Sequence, residues 1–565
     1  MSVNFGSVLA GLLCDDCDVD TAWCNEFCES PVTKRSLAGI AGIVAIATLI
    51  SKVFGLVRTQ AIAATFAVGP VADAYGLAYA IPGFLLVLLG GINGPFHSAI
   101  VRGVANRKKD DIAPLVETIT TLVGIGLLLV TVGIILFAPA IIGVLGNRLS
   151  ENTEAGAITR DIAILQLRIM APMAMFAGLI GIGFGTLNAA DHYWLPSISP
   201  LFSSSAVIVS LGAVFLTLGD KIAEPRYALL GGATLAIGTL AGAVLQWLVQ
   251  VPVLWKQGLG RLRLRFNTQH PVVKDVLNVL GPATFSSGMM QINVQVDLFF
   301  AAAIPGTIAA LDYANLLVQT PLGIISNVIL VPFLPVFARL ADPIHWDELK
   351  QRIRQGLLLT ALTMLPLSAV FITLALPMVR VIYERGAFSK SASQLVTSVL
   401  IAYGVGMFVY LGRDVLVRVF YALGDGDTPF RISLFNIGLN GLLDYLLIGR
   451  YGAPGLVLAT VGVNLVSMVA LLILLSRKIH GLPWLDWSKA LLLVFLSSVL
   501  SGIAAWASRW GLEHWLGTEG FLVNLTVLCG AGTVSLGIFA LAAMALGIPE
   551  AKMLVEQLKA KVLRR

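Results

Sequence analysis

Charged residues are scarce in this chain. Of its 565 residues only 12% are Asp, Glu, Lys or Arg, whereas 57% are hydrophobic. A soluble globular domain carries about 25% charged and about 45–50% apolar residues, so the shortage excludes an ordinary soluble enzyme and a disordered protein. The mean hydropathy is +0.86, and apolar runs of about 20 residues, the length that spans a bilayer, recur along the chain. The composition therefore predicts a polytopic membrane protein.

Catalytic motifs are also missing. The chain contains no GxxxxGK[ST] phosphate loop, no HExxH metal helix and no GxSxG nucleophile turn. Its six histidines are scattered, without a pair at metal-ligand spacing. These absences argue against an enzyme. The formal net charge of +6 would suit a nucleic-acid binder, but the basic residues lie in short clusters between apolar runs. Such clusters are typical of topology signals, so nucleic acid is not an expected partner.

Cysteine is scarce outside the N-terminal segment. Four of the five cysteines lie in an acidic stretch that lacks the features of a signal peptide: Cys14, Cys17, Cys24 and Cys28. The charge pattern places this stretch in the cytoplasm, where disulfides are not expected. Four thiolates could enclose one zinc ion, although the spacing is tighter than the usual paired CxxC pattern. A solvated, weakly structured tail is the default interpretation, and a zinc site is the alternative.

The apolar runs number about fourteen, and clusters of Lys and Arg fall on alternate connections. Both termini are therefore expected in the cytoplasm, which requires an even number of spans. The predicted fold is an all-α polytopic membrane protein with two parallel six-helix lobes and two C-terminal helices. The predicted segments are a cytoplasmic Cys-containing tail (1–36), an N-lobe (37–255), a basic cytoplasmic linker (256–275), a C-lobe (276–478), a C-terminal helix pair (479–548) and a basic cytoplasmic tail (549–565).

An internal repeat supports the two lobes. Three residue pairs share an offset of 239 positions: Asp73 with Asp312, Pro82 with Pro321, and Arg58 with Asp297. Further along, the offset falls to 237, which a two-residue insertion near Gly90 and Gly91 would explain. Each copy holds an even number of helices, so the copies point the same way and are expected to be related by a pseudo-twofold axis along the membrane normal.

Two basic residues within the first span are the strongest candidates for binding. A charged side chain at the centre of a membrane helix costs about 2.5–3.5 kcal/mol and usually faces a cavity or a partner. Lys52 and Arg58 are separated by about 120° around a regular helix, and a bend at Gly55 would let both reach one cavity. They could bind a phosphate or a carboxylate. The alternative is a charge pair between Arg58 and one of the membrane aspartates: Asp73, Asp297 or Asp312.

Other polar residues in the spans are weaker candidates. Arg168, Arg413, Asp414 and Asp444 could face a cavity or lie near an interface, where Arg418 would snorkel. The stretch PGFLLVLLGGINGP is rich in glycine and proline, which predicts a second span that bends during gating. Its gating candidates, together with Gly55, are Pro82, Gly90, Gly91, Gly94 and Pro95.

Four stretches resemble the MviN/MurJ family of bacterial lipid II flippases. They are Ser51–Ala74 (SKVFGLVRTQAIAATFAVGPVADA), Tyr75–Phe96 with its IPGF and NGPF, the RGAF of Arg385–Phe388, and FYALGDGDTP at Phe420–Pro429. The GGINGPFH stretch is similar to the form of this family found in cyanobacteria. The family belongs to a superfamily that also holds MATE multidrug exporters and polysaccharide-lipid flippases.

The resemblance implies a flippase that moves lipid II from the cytoplasmic to the outer leaflet of the bacterial inner membrane for cell-wall synthesis. It implies fourteen helices, a hydrophilic central cavity for the head group of an undecaprenyl-diphosphate disaccharide-peptide, and a groove for its tail on the C-terminal helices. Membrane lipids and the peptidoglycan synthesis machinery are the expected partners. No cofactor is expected, and a membrane potential or ion gradient would supply the energy. The expected substrate-binding residues are Lys52, Arg58, Asp73, Asp297, Asp312, Asn315, Arg168 and Arg413.

The chain departs from the family pattern at several of these positions. The first Arg of the first helix is Lys52, the Asp that follows Arg58 is Thr59, and the Asp-Arg pair of the eighth helix becomes Asn315-Leu316. The second helix also lacks its usual Arg. A cavity with fewer cations leaves two alternatives open, a drug or polysaccharide-lipid exporter of the same superfamily and a non-transporting scaffold for the cell envelope. A polymerising glycosyltransferase would need larger outer loops.

Overall fold

The structure is a computed structural model that describes residues 37–91, 97, 100–101, 109–146, 149, 154–261, 263–266 and 292–546. Over these residues it is helical and contains no β-strand. The helices are numbered α1 to α18 in chain order. They are α1 Leu37–Phe66, α2 Pro70–Gly90, α3 Lys109–Leu145, α4 Glu154–Met170, α5 Met173–Ala189, α6 Trp194–Ile198, α7 Pro200–Leu218, α8 Ala228–Leu248, α9 Val251–Lys256, α10 Ile292–Ala301, α11 Thr307–Arg339, α12 Trp346–Thr373, α13 Ala375–Tyr383, α14 Lys390–Ala422, α15 Asp427–Tyr451, α16 Ala453–Lys478, α17 Trp484–Leu516 and α18 Phe521–Ala545.

The described helices match the expected spans closely. Twelve are long and apolar enough to cross a membrane, and α4 with α5, bent by 41° at the break, forms a thirteenth. The break contains Pro172, which cannot donate a backbone hydrogen bond. The seventh expected span begins within residues 267–291, which lie outside the described residues, and the short apolar helix α10 follows them. The all-α polytopic fold predicted from the sequence is confirmed.

Large apolar side chains cover the outside of the bundle. On α17, for example, a continuous face is exposed, consisting of Leu492, Phe495, Leu496, Val499, Leu500, Ile503 and Trp506. A soluble monomer rarely exposes an apolar patch of this extent, whereas a bilayer solvates it without cost. These faces therefore mark where the helices contact lipid.

The helices pack in the same order in two sets. In the first set α7 packs on α8, α8 on α4, and α4 with α5 on α2 and α3; in the second, α15 packs on α16, α16 on α14, and α14 on α11 and α12. Helices α2 and α11 begin at Pro70 and Thr307, which are 237 residues apart. The expected two-residue slip near Gly90 and Gly91 stays a prediction, because residues 92–96 and 102–108 lie outside the described residues. The exact equivalence of Asp73 with Asp312 stays a prediction.

The two sets meet mainly at one end of the bundle. We call this the sealed end, and define it by four connections: residues 67–69, 302–306, 384–389 and 517–520. Here α11 packs against α1 and α2, and α13 packs against α1. The main apolar core crosses between the sets at this point, with Ala63 and Ala74 on one side and Ile308 and Tyr313 on the other. The C-terminal pair α17–α18 packs on α12 and α13.

Candidate functional site

A polar cavity lies inside the second set of helices. Its volume is about 460 Å³, which is within the size range of ligand pockets in proteins. Helices α10, α11, α14 and α16 line it, and its polar side chains are Asp297, Asp312, Asn315, Gln319, Ser326, Tyr403, Tyr410, Arg413, Asp414, Thr460 and Asn464. Because polar groups in a membrane are costly unless they face a cavity or a partner, this concentration marks the cavity as the candidate site.

The first set contributes cations from α1. The ammonium of Lys52 lies close to Gly323 on the cavity wall, since a Cβ added to that glycine would be 3.5 Å from Nζ. Arg58 lies close to the carboxylate of Asp312 and to the hydroxyl of Tyr75. Its buried Nε has no hydrogen-bond partner. A buried guanidinium donor without a partner is costly, which makes Arg58 a candidate for contact with an anion.

The structure shows which of the three membrane aspartates lies close to Arg58. Of the three aspartates, Asp312 is close enough to Arg58 for an electrostatic interaction. Its side chain is exposed and lines the cavity. Asp297 instead accepts hydrogen bonds within its own set of helices, and Asp73 accepts them from the start of α11. Ligand contact and pairing with Asp312 therefore remain compatible at Arg58.

A second group of acidic side chains lies deeper, where α10, α15 and α16 meet. Asn440 Nδ2 donates to Asp297 Oδ1 at 2.6 Å and to Asp444 Oδ2 at 3.1 Å, and Thr460 Oγ1 donates to Asp297 Oδ2 at 3.4 Å. Asp444 is fully buried, and its Oδ1 has no hydrogen-bond partner. Two carboxylates this close in an apolar setting cannot both stay charged without a proton or a cation between them. The carboxylate and hydroxyl oxygens of Asp297, Asp444 and Thr460 are hard ligands suited to such a cation.

Arg413 also faces the cavity, whereas Arg168 does not. Arg413 Nε donates to Ser467 Oγ at 3.1 Å, its Nη2 lies 3.5 Å from Ser433 Oγ, and its Nη1 lies 3.7 Å from Asp414 Oδ1. These contacts leave guanidinium donors available on the cavity side. Arg168 is exposed on α4 and is not among the residues that line the cavity.

Asp73 holds the two sets together at the sealed end. Its side chain accepts hydrogen bonds from the backbone N–H of Gly306 at 2.5 Å and of Ala309 at 2.9 Å. Gly306 is the N-cap of α11, and it has no side chain with which to satisfy the first N–H groups of that helix. The aspartate of α2 therefore caps α11 from the other set. In this conformation Asp73 forms a contact between the sets, and its contact with substrate stays a prediction.

The tight packing around this cap requires glycine at two positions. A Cβ at Gly76 would overlap the side chain of Ile308, and a Cβ at Gly306, whose φ is +79°, would lie 2.8 Å from the carbonyl oxygen of Val68. Tyr313 Oη adds a hydrogen bond of 2.8 Å to the carbonyl oxygen of Ala67. Helix α2 and the connection between α1 and α2 therefore lie in close contact with the start of α11.

Only some of the residues predicted to act in gating or metal binding lie within the described residues. Helix α2 runs unbroken from Pro70 to Gly90 with Pro82 inside it, and Gly91 follows as its C-cap. Gly55 lies within the continuous helix α1, with no atom within 4 Å of an added Cβ. Gly94, Pro95 and the four N-terminal cysteines (Cys14, Cys17, Cys24, Cys28) lie outside the described residues. Elsewhere in the described chain, no group of three or more His, Cys, Asp or Glu side chains could hold a metal ion.

Some residues of the site did not stand out in the sequence. Asn440 and Thr460 are single polar residues in apolar helices, and only the structure shows that they meet Asp297. One signal was available, because Asn440 and Asp444 are four residues apart and therefore lie on the same face of a helix.

Comparison with known proteins places these features in a family. The family model described as "Lipid II flippase MurJ" matches residues 62–526. A protein of Synechocystis sp., named "Probable lipid II flippase MurJ", is 54% identical over 94% of this chain and 99% of its own length. A solved structure described as "Lipid II flippase MurJ, inward closed conformation" aligns with a TM-score of 0.71 at 22% identity, covering 89% of this chain and 99% of that one. An inward-facing MATE family transporter of the MOP superfamily aligns with a TM-score of 0.59 at 16% identity, covering 79% and 98%.

Proposed function

The chain belongs to the MurJ family of lipid II flippases, and we propose that it moves lipid II across the bacterial inner membrane by alternating access. One observation carries the mechanism: Arg58, whose buried Nε has no hydrogen-bond partner, lies close to Asp312 on the wall of a polar cavity within an apolar bundle. A lipid-linked diphosphate needs such a site, because its head group must leave water while its tail remains in the bilayer.

The charge pattern supports an orientation. Lys and Arg clusters on alternate connections favour the cytoplasm for both termini. Helix α1 begins at the N-terminal side and ends at the sealed end, so the sealed end faces outward. A structure that joins its two sets on the outer side accepts substrate from the cytoplasmic leaflet, the side on which lipid II is made.

Different side chains contact different parts of the lipid II head group. Lys52 and Arg58 bind the diphosphate, since charge-assisted hydrogen bonds from cations compensate best for its desolvation. Arg413 supplies a third cation in place of the arginines that the family pattern has elsewhere. Neutral polar groups such as Asn315 and Gln319 contact the disaccharide-peptide, and the tail stays outside the bundle.

Energy for transport enters at the carboxylate pair of Asp297 and Asp444. A proton or a monovalent cation taken up there neutralises the pair, and its release would recharge it. Such a change of charge at the junction of α10, α15 and α16 favours one arrangement of these helices over another. No cofactor and no covalent reaction are required, and the enzymes of cell-wall synthesis act as partners before and after the transport step.

The experiment is complementation with a leaflet assay. A strain depleted of its own flippase receives the wild-type chain, Arg58→Ala or Arg226→Ala, and the leaflet in which lipid II accumulates is measured. Arg226 is an exposed arginine that pairs locally with Glu224 at 2.7 Å, so it controls for the loss of a positive charge. We expect the wild type and Arg226→Ala to restore outer-leaflet lipid II and growth, and Arg58→Ala to reach the membrane but fail.

Two outcomes would contradict this proposal. Full growth with Arg58→Ala would remove the cationic site from the mechanism. Failure of the wild-type chain to restore outer-leaflet lipid II, while it exports a drug or another polyprenyl-linked saccharide, would favour the exporter alternative.

A further inference from the structure

The loop of residues 384–389, between α13 and α14, touches three parts of the molecule at the sealed end. We call it the bridging loop. It contacts α1 of the first set, rests on α11 of its own set, and is flanked by side chains that hold the turn between α17 and α18. The transport mechanism described above makes no use of it.

The contact with α1 is formed by backbone atoms. The N–H of Ala387 donates to the carbonyl oxygen of Ala64 at 2.8 Å. Gly386 has a φ of +57°, and a Cβ at this position would lie 2.5 Å from the same carbonyl oxygen. Both the backbone conformation and the lack of space therefore require glycine.

An aromatic cluster holds the bridging loop in place from below. Phe388 is buried, and its ring centroid lies 5.9 Å from that of Tyr383 and 6.0 Å from that of Tyr313. Tyr383 Oη donates to the carbonyl oxygen of Tyr313 at 3.0 Å. Because Tyr313 also binds Ala67, the loop and the start of α11 form one packed unit against α1.

The other side of the loop is tied to the C-terminal pair. Arg380 Nη1 donates to the carbonyl oxygen of Thr518 at 2.7 Å, and Lys390 Nζ pairs with Glu519 at 2.5 Å. The guanidinium of Arg385 lies 5.2 Å from the centre of the Phe521 ring. Exposed ties of this kind are individually weak, which suits contacts that must break during each transport cycle.

We propose that the bridging loop couples the position of the C-terminal helix pair to the opening of the sealed end, with Gly386 as the positioning residue. While the pair is docked, its turn holds the loop against α1, and the two sets stay joined. When the pair shifts, the loop is drawn from Ala64 and the sealed end is released. This inference rests on the alternating-access function proposed above.

The first test compares two glycines with nearly the same positive φ. Gly386 and Gly219 have φ values of +57° and +56°, but an added Cβ at Gly219 meets no atom within 4 Å. Spin labels are placed on cysteines at the exposed positions Ala157 and Gln394, in a chain without native cysteines, and the distance between them is measured without substrate in lipid nanodiscs. We expect Gly386→Ala to raise the long-distance population several-fold and Gly219→Ala to match the unsubstituted chain. Equal distributions in the two variants would overturn the role of the loop in closure.

The second test addresses the coupling itself and substitutes the two basic side chains that tie the loop to the C-terminal pair. Arg380→Gln with Lys390→Gln removes two ties to the pair, and Arg226→Gln is the matched loss of an arginine on another connection. We expect the double variant, but not Arg226→Gln, to raise the same long-distance population, and adding Gly386→Ala to give no further rise. An unchanged distribution in the double variant, with opening by Gly386→Ala, would show that the pair and the loop are independent.

These distances are measured without lipid II, so they do not depend on transport. If the wild-type chain fails to transport lipid II but the distances respond as expected, the proposed function fails and the coupling stands. If transport is confirmed and the distances do not respond, the coupling fails alone.

Discussion

At the scale of the residue, two buried polar side chains each have an atom without a hydrogen-bond partner. Arg58 retains a buried donor with no partner, and Asp444 retains a buried acceptor with none. In an apolar medium each unsatisfied group costs free energy that a bound anion, cation or proton can recover. Arg58 is therefore a candidate contact for an anion, and Asp444 is a candidate contact for a cation or a proton.

Arg413 and Arg168 provide a test at this scale. Arg413 lies on the cavity wall and Arg168 does not, so we expect Arg413→Gln to weaken lipid II binding about tenfold or more, as loss of a charge-assisted hydrogen bond of about 1.5–3 kcal/mol predicts. Arg168→Gln serves as the control and is expected to leave binding unchanged. Binding of purified variants in detergent is the measurement.

The opposite result has a definite meaning. If neither variant changes the dissociation constant while Arg58→Ala does, the diphosphate depends on α1 alone and stays partly hydrated. If all three variants bind like the wild type, the cationic site itself is wrong.

At the scale of the element, one helix completes another across the interface between the sets. The first turn of α11 cannot satisfy its own N–H groups with a glycine cap, and Asp73 of α2 supplies the missing acceptor. The positive end of the α11 dipole adds to the attraction for this carboxylate. Closure of the sealed end is therefore built into the capping of a helix.

Asp73→Ala is expected to favour opening of the sealed end. Loss of a helix cap costs about 0.5–2 kcal/mol, so the open fraction would rise by about 2- to 30-fold. The spin-label distance between positions 157 and 394 measures it. Asp342→Ala is the control, because Asp342 also caps a short turn, accepting from the N–H of Ile344 at 3.0 Å, but does so within one set. Equal distance distributions in the two variants would mean that the cap does not hold the sets together.

At the scale of the whole molecule, the two sets share an order of packing but differ in chemistry. The first set brings Lys52 and Arg58 to the site, while the second brings Asp297, Asp312, Asp444 and Arg413. The acidic groups of the site therefore come from the second set, and its cations come from both sets.

The carboxylate pair predicts how transport depends on ions. In proteoliposomes with an imposed proton or sodium gradient, we expect the wild-type rate of lipid II transport to follow one of the two gradients. Asp444→Asn should abolish that dependence, because the pair then carries at most one charge. Asp414→Asn is the control, since Asp414 lies on the cavity wall beside Arg413 but outside the pair. Wild-type gradient dependence in Asp444→Asn would exclude the pair as the coupling site.

The sequence by itself determined the fold class, the approximate placement of the spans that the structure describes, and the family. These follow from long apolar runs, alternating basic connections and short motifs, all of which are local properties of the chain. Lys52 and Arg58 could be singled out for the same reason, because a charge inside an apolar run is costly wherever the chain folds.

Only the tertiary structure decided which polar residues meet. Asp73 was expected to contact substrate, and in this structure it caps α11. Arg168 and Arg413 were equivalent candidates in the sequence, but only Arg413 lies on the cavity wall. Asn440 belongs to the site because it donates a hydrogen bond to Asp297. Each of these distinctions depends on contacts between residues 20 to 240 positions apart. The apolar faces of these helices could pack in many rotations with similar hydrophobic energy. The rotation of each helix is therefore set by close packing at glycines such as Gly76, and sequence periodicity does not reveal such packing.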